Sequence, residues 1–87
     1  MKIPFYADPS HGWAKVKRKL LKELGIEEQI SIFSYQRRDY VYLEEDGDLT
    51  LFVNSIGADN VEFVEHYSNK RSRIRTYEHF SLRGNCG

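Results

Sequence analysis

Leu20, Leu21 and Leu24 recur at helical spacing behind Val16 and Lys17, and Gly25 stands where such a helix must stop, so the pattern predicts a first helix over residues 17–24. Ahead of it the rhythm is extended. Lys2 to Tyr6 and Trp13 to Val16 read as two short strands, joined by a turn rich in Asp8, Pro9, Ser10 and Gly12. Ile30, Ile32, Phe33 and Tyr35, then Tyr40, Val41, Tyr42 and Leu43, predict a hairpin with its turn at residues 36–39. A second helix follows. Leu49, Phe52, Val53 and Ile56 share one face, Gly57 ends the run, and Asp46 or Asp48 is placed to cap its start. Val61 and Phe63, with Glu62 and Val64 opposite, predict a strand partly buried on both faces, and "RIRTY" extends the sheet. The expected fold is α+β: a small, mainly antiparallel sheet with two helices packed on one face and the other face wet.

Length and composition set the scale of that fold. With 87 residues, 40% of them hydrophobic and 14% aromatic, the chain has enough bulky side chains for one small core, expected over residues 1–80 with a flexible tail at 81–87. The formal charge is zero, which removes any whole-molecule attraction to nucleic acid and leaves only local patches. Cys86 is the sole cysteine, so an internal disulfide and a multi-cysteine zinc site are both excluded. No apolar run approaches the roughly 18 residues a membrane helix needs, and the expected location is the cytoplasm.

Candidate chemistry lies in the charges and rings. If residues 71–77 are extended, Arg71, Arg73, Arg75 and Tyr77 fall on one side of the strand and form a comb for phosphate or carboxylate oxygens. The plain alternative is a solvated strand face that blocks edge pairing. Lys15, Lys17, Arg18, Lys19 and Lys22 form a second basic group, while the acids gather at Glu44 to Asp48 and around Glu62 and Glu65. This segregation favours a specific anion or a charged protein surface and ranks nucleic acid lower. His11 and Trp13 flank Gly12 in a turn where a ring ligand could approach the backbone. His66 and His79 flank the arginines and would be the acid/base pair if the protein cleaved RNA, but their spacing matches no catalytic motif. The run "EEDGD" lacks the spacing of a calcium loop and reads as a helix cap, so no metal or cofactor is expected. Tyr35, Tyr40 and Tyr42 could form a ligand platform, although tyrosines in a hairpin more often pack half-buried.

The stretches "HGWAKVKRKLLKELGI", "ISIFSYQRRDYVYLEEDGD" and "SRIRTYEHF" resemble, over Lys2 to Phe80, small accessory proteins of phages and bacterial mobile elements. That group shows a Gly-His-Gly-Trp turn and a Tyr-Leu-Glu-Glu-Asp run; here Ser10 stands before His11, and the run is Tyr42 to Asp46. The resemblance implies a setting, the host cell cytoplasm, where such proteins block host processes, including defences that signal through small nucleotides. The leading expectation is a non-catalytic homo-oligomer that sequesters an anionic, nucleotide-like ligand through Arg71, Arg73, Arg75, Tyr77, His11 and Trp13. Two alternatives stand beside it: an inhibitor of a host defence protein, and a metal-independent ribonuclease using His66 or His79.

Overall fold

Trp13, Lys15 and Lys17 alternate with Gly12, Ala14 and Val16 along one strand, and this alternation sorts the whole sheet into two faces. A computed structural model describes residues 1–82. Its elements in chain order are β1 (Lys2–Ala7), β2 (Gly12–Lys17), α1 (Arg18–Glu23), β3 (Tyr35–Arg37), β4 (Tyr40–Glu44), α2 (Asp48–Ile56), β5 (Glu62–Tyr67) and β6 (Glu78–His79). Short 3-10 turns occupy Glu27–Gln29, Ala58–Asn60 and Arg73–Thr76. The six strands form one sheet in the order β5-β1-β2-β4-β3-β6. Only β1 and β5 run parallel among the described pairs, with Ile3 beside Phe63 and Tyr6 beside His66. The antiparallel registers set Phe5 beside Ala14, Ala14 beside Leu43 and Gln36 beside Val41.

That register carries Ile3, Ala14, Val16, Val41 and Leu43 to one face, where they are buried against Leu21, Ile26, Ile30, Phe52 and Phe80. Leu20, Leu24, Leu49, Val53 and Ile56 close the same cluster, so both helices pack on this face as the hydrophobic periodicity predicts. The opposite face differs from expectation. It holds a smaller core of Trp13, Tyr42 and Ile74, with Tyr6, Tyr35, Tyr40 and Tyr77 packed around it, because the segment after β5 folds back over the sheet.

Three boundaries and the burial of one strand differ from expectation for physical reasons. Lys17 keeps an extended backbone (φ −72°, ψ 136°) as the last residue of β2, so α1 begins at Arg18. The hairpin turn is only Arg38 and Asp39, with Arg38 in the left-handed region at φ 56°, and β3 is confined to Tyr35–Arg37. Residues before it leave the strand path: Ser31 donates from both N (3.0 Å) and Oγ (2.7 Å) to Asp48, and Ser34 Oγ donates to the same carboxylate at 2.6 Å. Ile32 and Phe33 are consequently 67% and 71% exposed. Strand β5 is exposed at all six positions, not half-buried, because it is the outer strand and among the described residues has β1 as its only neighbour.

The expected cap of α2 also changes hands. Asp48 lies inside the first turn and faces the serines, while Glu44 accepts the amides of Asp46 (2.8 Å), Gly47 (2.7 Å) and Asp48 (2.8 Å). At the far edge Arg18 ties the chain's end to the sheet: it pairs with Glu27 (2.6 Å), donates to Gln36 (2.8 Å) and to the Ser81 carbonyl, and lies over the Phe80 ring. The tail expected from residue 81 falls, at 83–87, outside the described residues.

Candidate functional site

The turn between β1 and β2 is organised by one carboxylate. Asp8 Oδ1 accepts the amides of Ser10 (3.0 Å) and His11 (2.9 Å), the local bonding that suits aspartate to turns. Its other oxygen reaches across the sheet. Oδ2 accepts the Ser72 amide at 3.0 Å and Arg75 Nε at 2.8 Å, and Arg75 Nη2 donates to Oδ1 at 3.1 Å, giving a two-pronged ion pair. The Arg75 guanidinium and the three amides hold the Asp8 carboxyl well below the usual carboxylate range, against the opposing effect of burial. Asp8 in turn raises Arg75.

Arg75 Nη2 also lies 2.9 Å from His11 Nδ1. A guanidinium can only donate, so His11 Nδ1 is the acceptor and the neutral ring carries its proton on Nε2. The guanidinium carbon lies 5.3 Å above the Trp13 ring, and among the described residues Arg75 Nη1 makes no hydrogen bond. Trp13 meets Tyr35 edge-on at 6.1 Å, and His79 stacks on Tyr35 at 4.8 Å. His79 Nδ1 donates to the Ile32 carbonyl at 2.7 Å, which leaves its Nε2 as a free acceptor when the ring is neutral.

These groups enclose a cleft of about 520 Å³. Trp13 and Tyr35 form its floor, His11 and Arg75 one wall, and Phe33 and His79 the other, with Glu44 and Asp46 at the end. Asp8 neutralises Arg75 at one end, while at the other Glu44 accepts the α2 amides and Asp46 adds a second carboxylate. What remains on offer is ring surface, one pair of guanidinium N–H groups and two imidazole edges. Such a set suits a planar heterocycle carrying an acceptor group better than a bare polyanion.

The arginine comb does not form. Arg73–Thr76 is a 3-10 turn, and at three residues per turn side chains two apart point in different directions. Ser72 Oγ caps the turn by accepting the Ile74 amide at 3.2 Å, Thr76 Oγ1 donates to the Arg73 carbonyl at 2.6 Å, and Ile74 is buried. Arg71 is exposed beside Asp8, Pro9 and Ser10, and Arg73 is exposed on the turn. Tyr77 leaves the group entirely: it tilts against Tyr42 at 5.1 Å and lies beneath Arg37. The fold therefore brings together His11, Trp13 and Arg75 from the expected set. Trp13, only 2% exposed, is floor and not a presented ring.

The histidine pair separates as well. His66 on β5 stacks on Tyr6 at 5.0 Å, while His79 is on β6 at the opposite edge of the sheet, roughly 24 Å away across five strand spacings. Those two rings do not share one phosphodiester. Among the described residues no group of three metal-ligating side chains assembles. No helix is long and apolar enough to cross a membrane among those residues.

Sequence reasoning passed over Phe33 as part of this cleft, set Tyr35 aside as packing, and did not single out Asp8, which anchors Arg75. Asp8 carried a signal, since an aspartate opening a Pro-Ser turn is an acceptor looking for amides; the other two depend on how β3 is cut short. The fold and site define a small single-sheet α+β protein with an aromatic cleft at one end of the sheet. No protein-family model matches the chain, no curated protein is similar to it, and no solved structure matches it.

Proposed function

We propose that the chain is a non-catalytic binding protein that captures an anionic, nucleotide-like small molecule in the cleft above Trp13 and Tyr35. One observation carries this reading: Arg75 is pinned by Asp8 over an aromatic floor, yet keeps the Nη1 hydrogens unbonded among the described residues. A base would stack against Phe33 and the Tyr35–His79 pair, and a phosphate oxygen would take the Arg75 Nη1 and His11 Nε2 hydrogens. Sequestration needs affinity and no reacting group. Together with the likeness to accessory proteins of phages and mobile elements, this gives a counter-defence role in the host cytoplasm.

Titration calorimetry with a panel of mono- and cyclic dinucleotides tests it. Tyr35→Ala and His79→Ala should each weaken binding about fivefold or more, since a stacked base is worth about 1–3 kcal/mol. The reading fails if no nucleotide binds, or if both variants bind as the wild type does. A second reading, an inhibitor covering a host protein, draws on β5, whose outer edge carries exposed Phe63, Val64 and Tyr67. It requires a stable protein complex that nucleotides do not displace.

A further inference from the structure

Lys2 on β1, Lys15 and Lys17 on β2, and Lys19 on α1 come from two distant stretches of sequence, yet they line one cleft of about 570 Å³. Pro4, Leu20 and Tyr40 give this cleft an apolar floor, and Glu23 is its only carboxylate. Lys15 Nζ lies 4.2 Å from the centre of the Tyr40 ring, which holds its charge over the floor. An adjoining cleft of about 530 Å³ shares Lys17 and Lys19 and adds Lys22, with Asp39 as its carboxylate. Among the described residues the ion pairs are Arg18 with Glu27 and Arg75 with Asp8, so none of these five ammonium groups is paired.

Zero net charge does not cancel such a pole. The acidic run begins at Glu44, the other end of the strand that starts at Tyr40, and four residues of extended chain span roughly 13 Å. The screening length at physiological salt is about 8 Å. A bound phosphate therefore feels little of the Glu44 to Asp48 run, and within the two clefts five lysines face Glu23 and Asp39. The sequence groups Lys15, Lys17, Arg18, Lys19 and Lys22 without Lys2; in the fold Lys2, Lys15 and Lys17 belong to strands, and only Lys19 and Lys22 to α1.

We infer that this lysine face binds the phosphodiester backbone of single-stranded nucleic acid, at a site separate from the aromatic cleft. A basic groove is the arrangement that tracks the backbone of one strand, and here Tyr40, beneath the Lys15 ammonium, holds one of its charges in place. Duplex binding has no comparable support, because α1 is only six residues long and its buried Leu21 is turned to the core, leaving no projecting helix for a groove.

Fluorescence anisotropy of a labelled oligothymidylate about 12 nucleotides long tests the assignment, at salt between about 50 and 200 mM. The wild type should bind with a slope of log K against log salt near −3.5, about −0.7 for each of five phosphates. The double variant Lys15→Glu/Lys19→Glu should bind at least tenfold more weakly, with a slope shallower by about 1.4. Lys70→Glu, which changes net charge away from this face, should bind as the wild type does. Absence of binding on the order of 100 μM protein, equal loss in Lys70→Glu, or tighter binding to a duplex of the same length would each overturn it. Circular dichroism of the variants establishes that they are folded, and the Tyr35→Ala protein, impaired only in the aromatic cleft, should retain oligothymidylate binding.

Discussion

Asp8 receives five hydrogen bonds, from Ser10, His11, Ser72 and twice from Arg75, and its side chain is 1% exposed. Replacing it by asparagine leaves Arg75 largely desolvated without a counter-charge, at a cost on the order of 3 kcal/mol. Thermal melts at neutral pH should show Asp8→Asn lower by more than about 10 °C. The pH dependence has a definite sign. Because the native carboxyl is depressed, the unfolded state binds the extra proton in acid, and the contribution is complete above the unfolded pKa near 3.9. It is lost progressively as pH falls below that value, so the gap between wild type and Asp8→Asn should close in acid. Equal melting of the two proteins at neutral pH would show that the pair adds no stability. Tyr42 works in the opposite direction. Burial, reinforced by Tyr77 and Tyr6, pushes its phenol up to about 12, so its stabilisation is present below about pH 10 and declines as pH rises through 12. Ultraviolet titration of the six tyrosines should show one ionising last, and Tyr42→Phe should remove that phase.

At the scale of elements, α2 depends on a residue outside it. Glu44 ends β4 and bonds the first amides of the helix, so one side chain fixes both the strand's end and the helix's entry. Glu44→Ala should cost about 1–2 kcal/mol in denaturant unfolding, with Glu44→Gln between the two; an unchanged midpoint would assign the entry to Asp48. The helix was legible in Leu49, Phe52, Val53 and Ile56, because a 3.6-residue period survives any environment. Its cap was not. Asp46, Asp48 and Glu44 offer similar oxygens, and the choice fell out of Ser31 and Ser34 claiming Asp48. Gly12 belongs to the same scale: a Cβ there would lie 2.4 Å from the Phe5 ring, so the bare backbone of "HGW" is what lets β1 and β2 pack against one another.

The molecule as a whole measures 36 × 34 × 18 Å, a slab one sheet and one helical layer thick. Strands β2 and β4 lie in its middle and carry Ala14, Val41 and Leu43 at 0% exposure, whereas β5 is open along its length. Native-state hydrogen exchange should therefore be slowest in β2 and β4 and fastest, among the strands, at the outward amides of β5. Protection of β5 equal to that of β4 would mean that something covers this edge, as a homo-oligomer or a bound protein would. The same slab sets charge apart: lysines at the Tyr40 end of β4, carboxylates at the Glu44 end.

The amino-acid sequence determined the α+β class, the two helices on one face and the helical residues that close the main core, because those follow from periodicity and from turn-forming residues acting within a few positions. Local spacing also drew attention to His11, Trp13 and Arg75. Only the tertiary structure decided that Arg71, Arg73 and Arg75 do not form a comb, since a contact between Asp8 and Arg75, 67 positions apart, winds that segment into a 3-10 turn. It also decided that Lys2 joins the lysines of β2 and α1. Contacts of that reach depend on which strands become neighbours, and strand order is set by the packing of the entire chain, which no local pattern records.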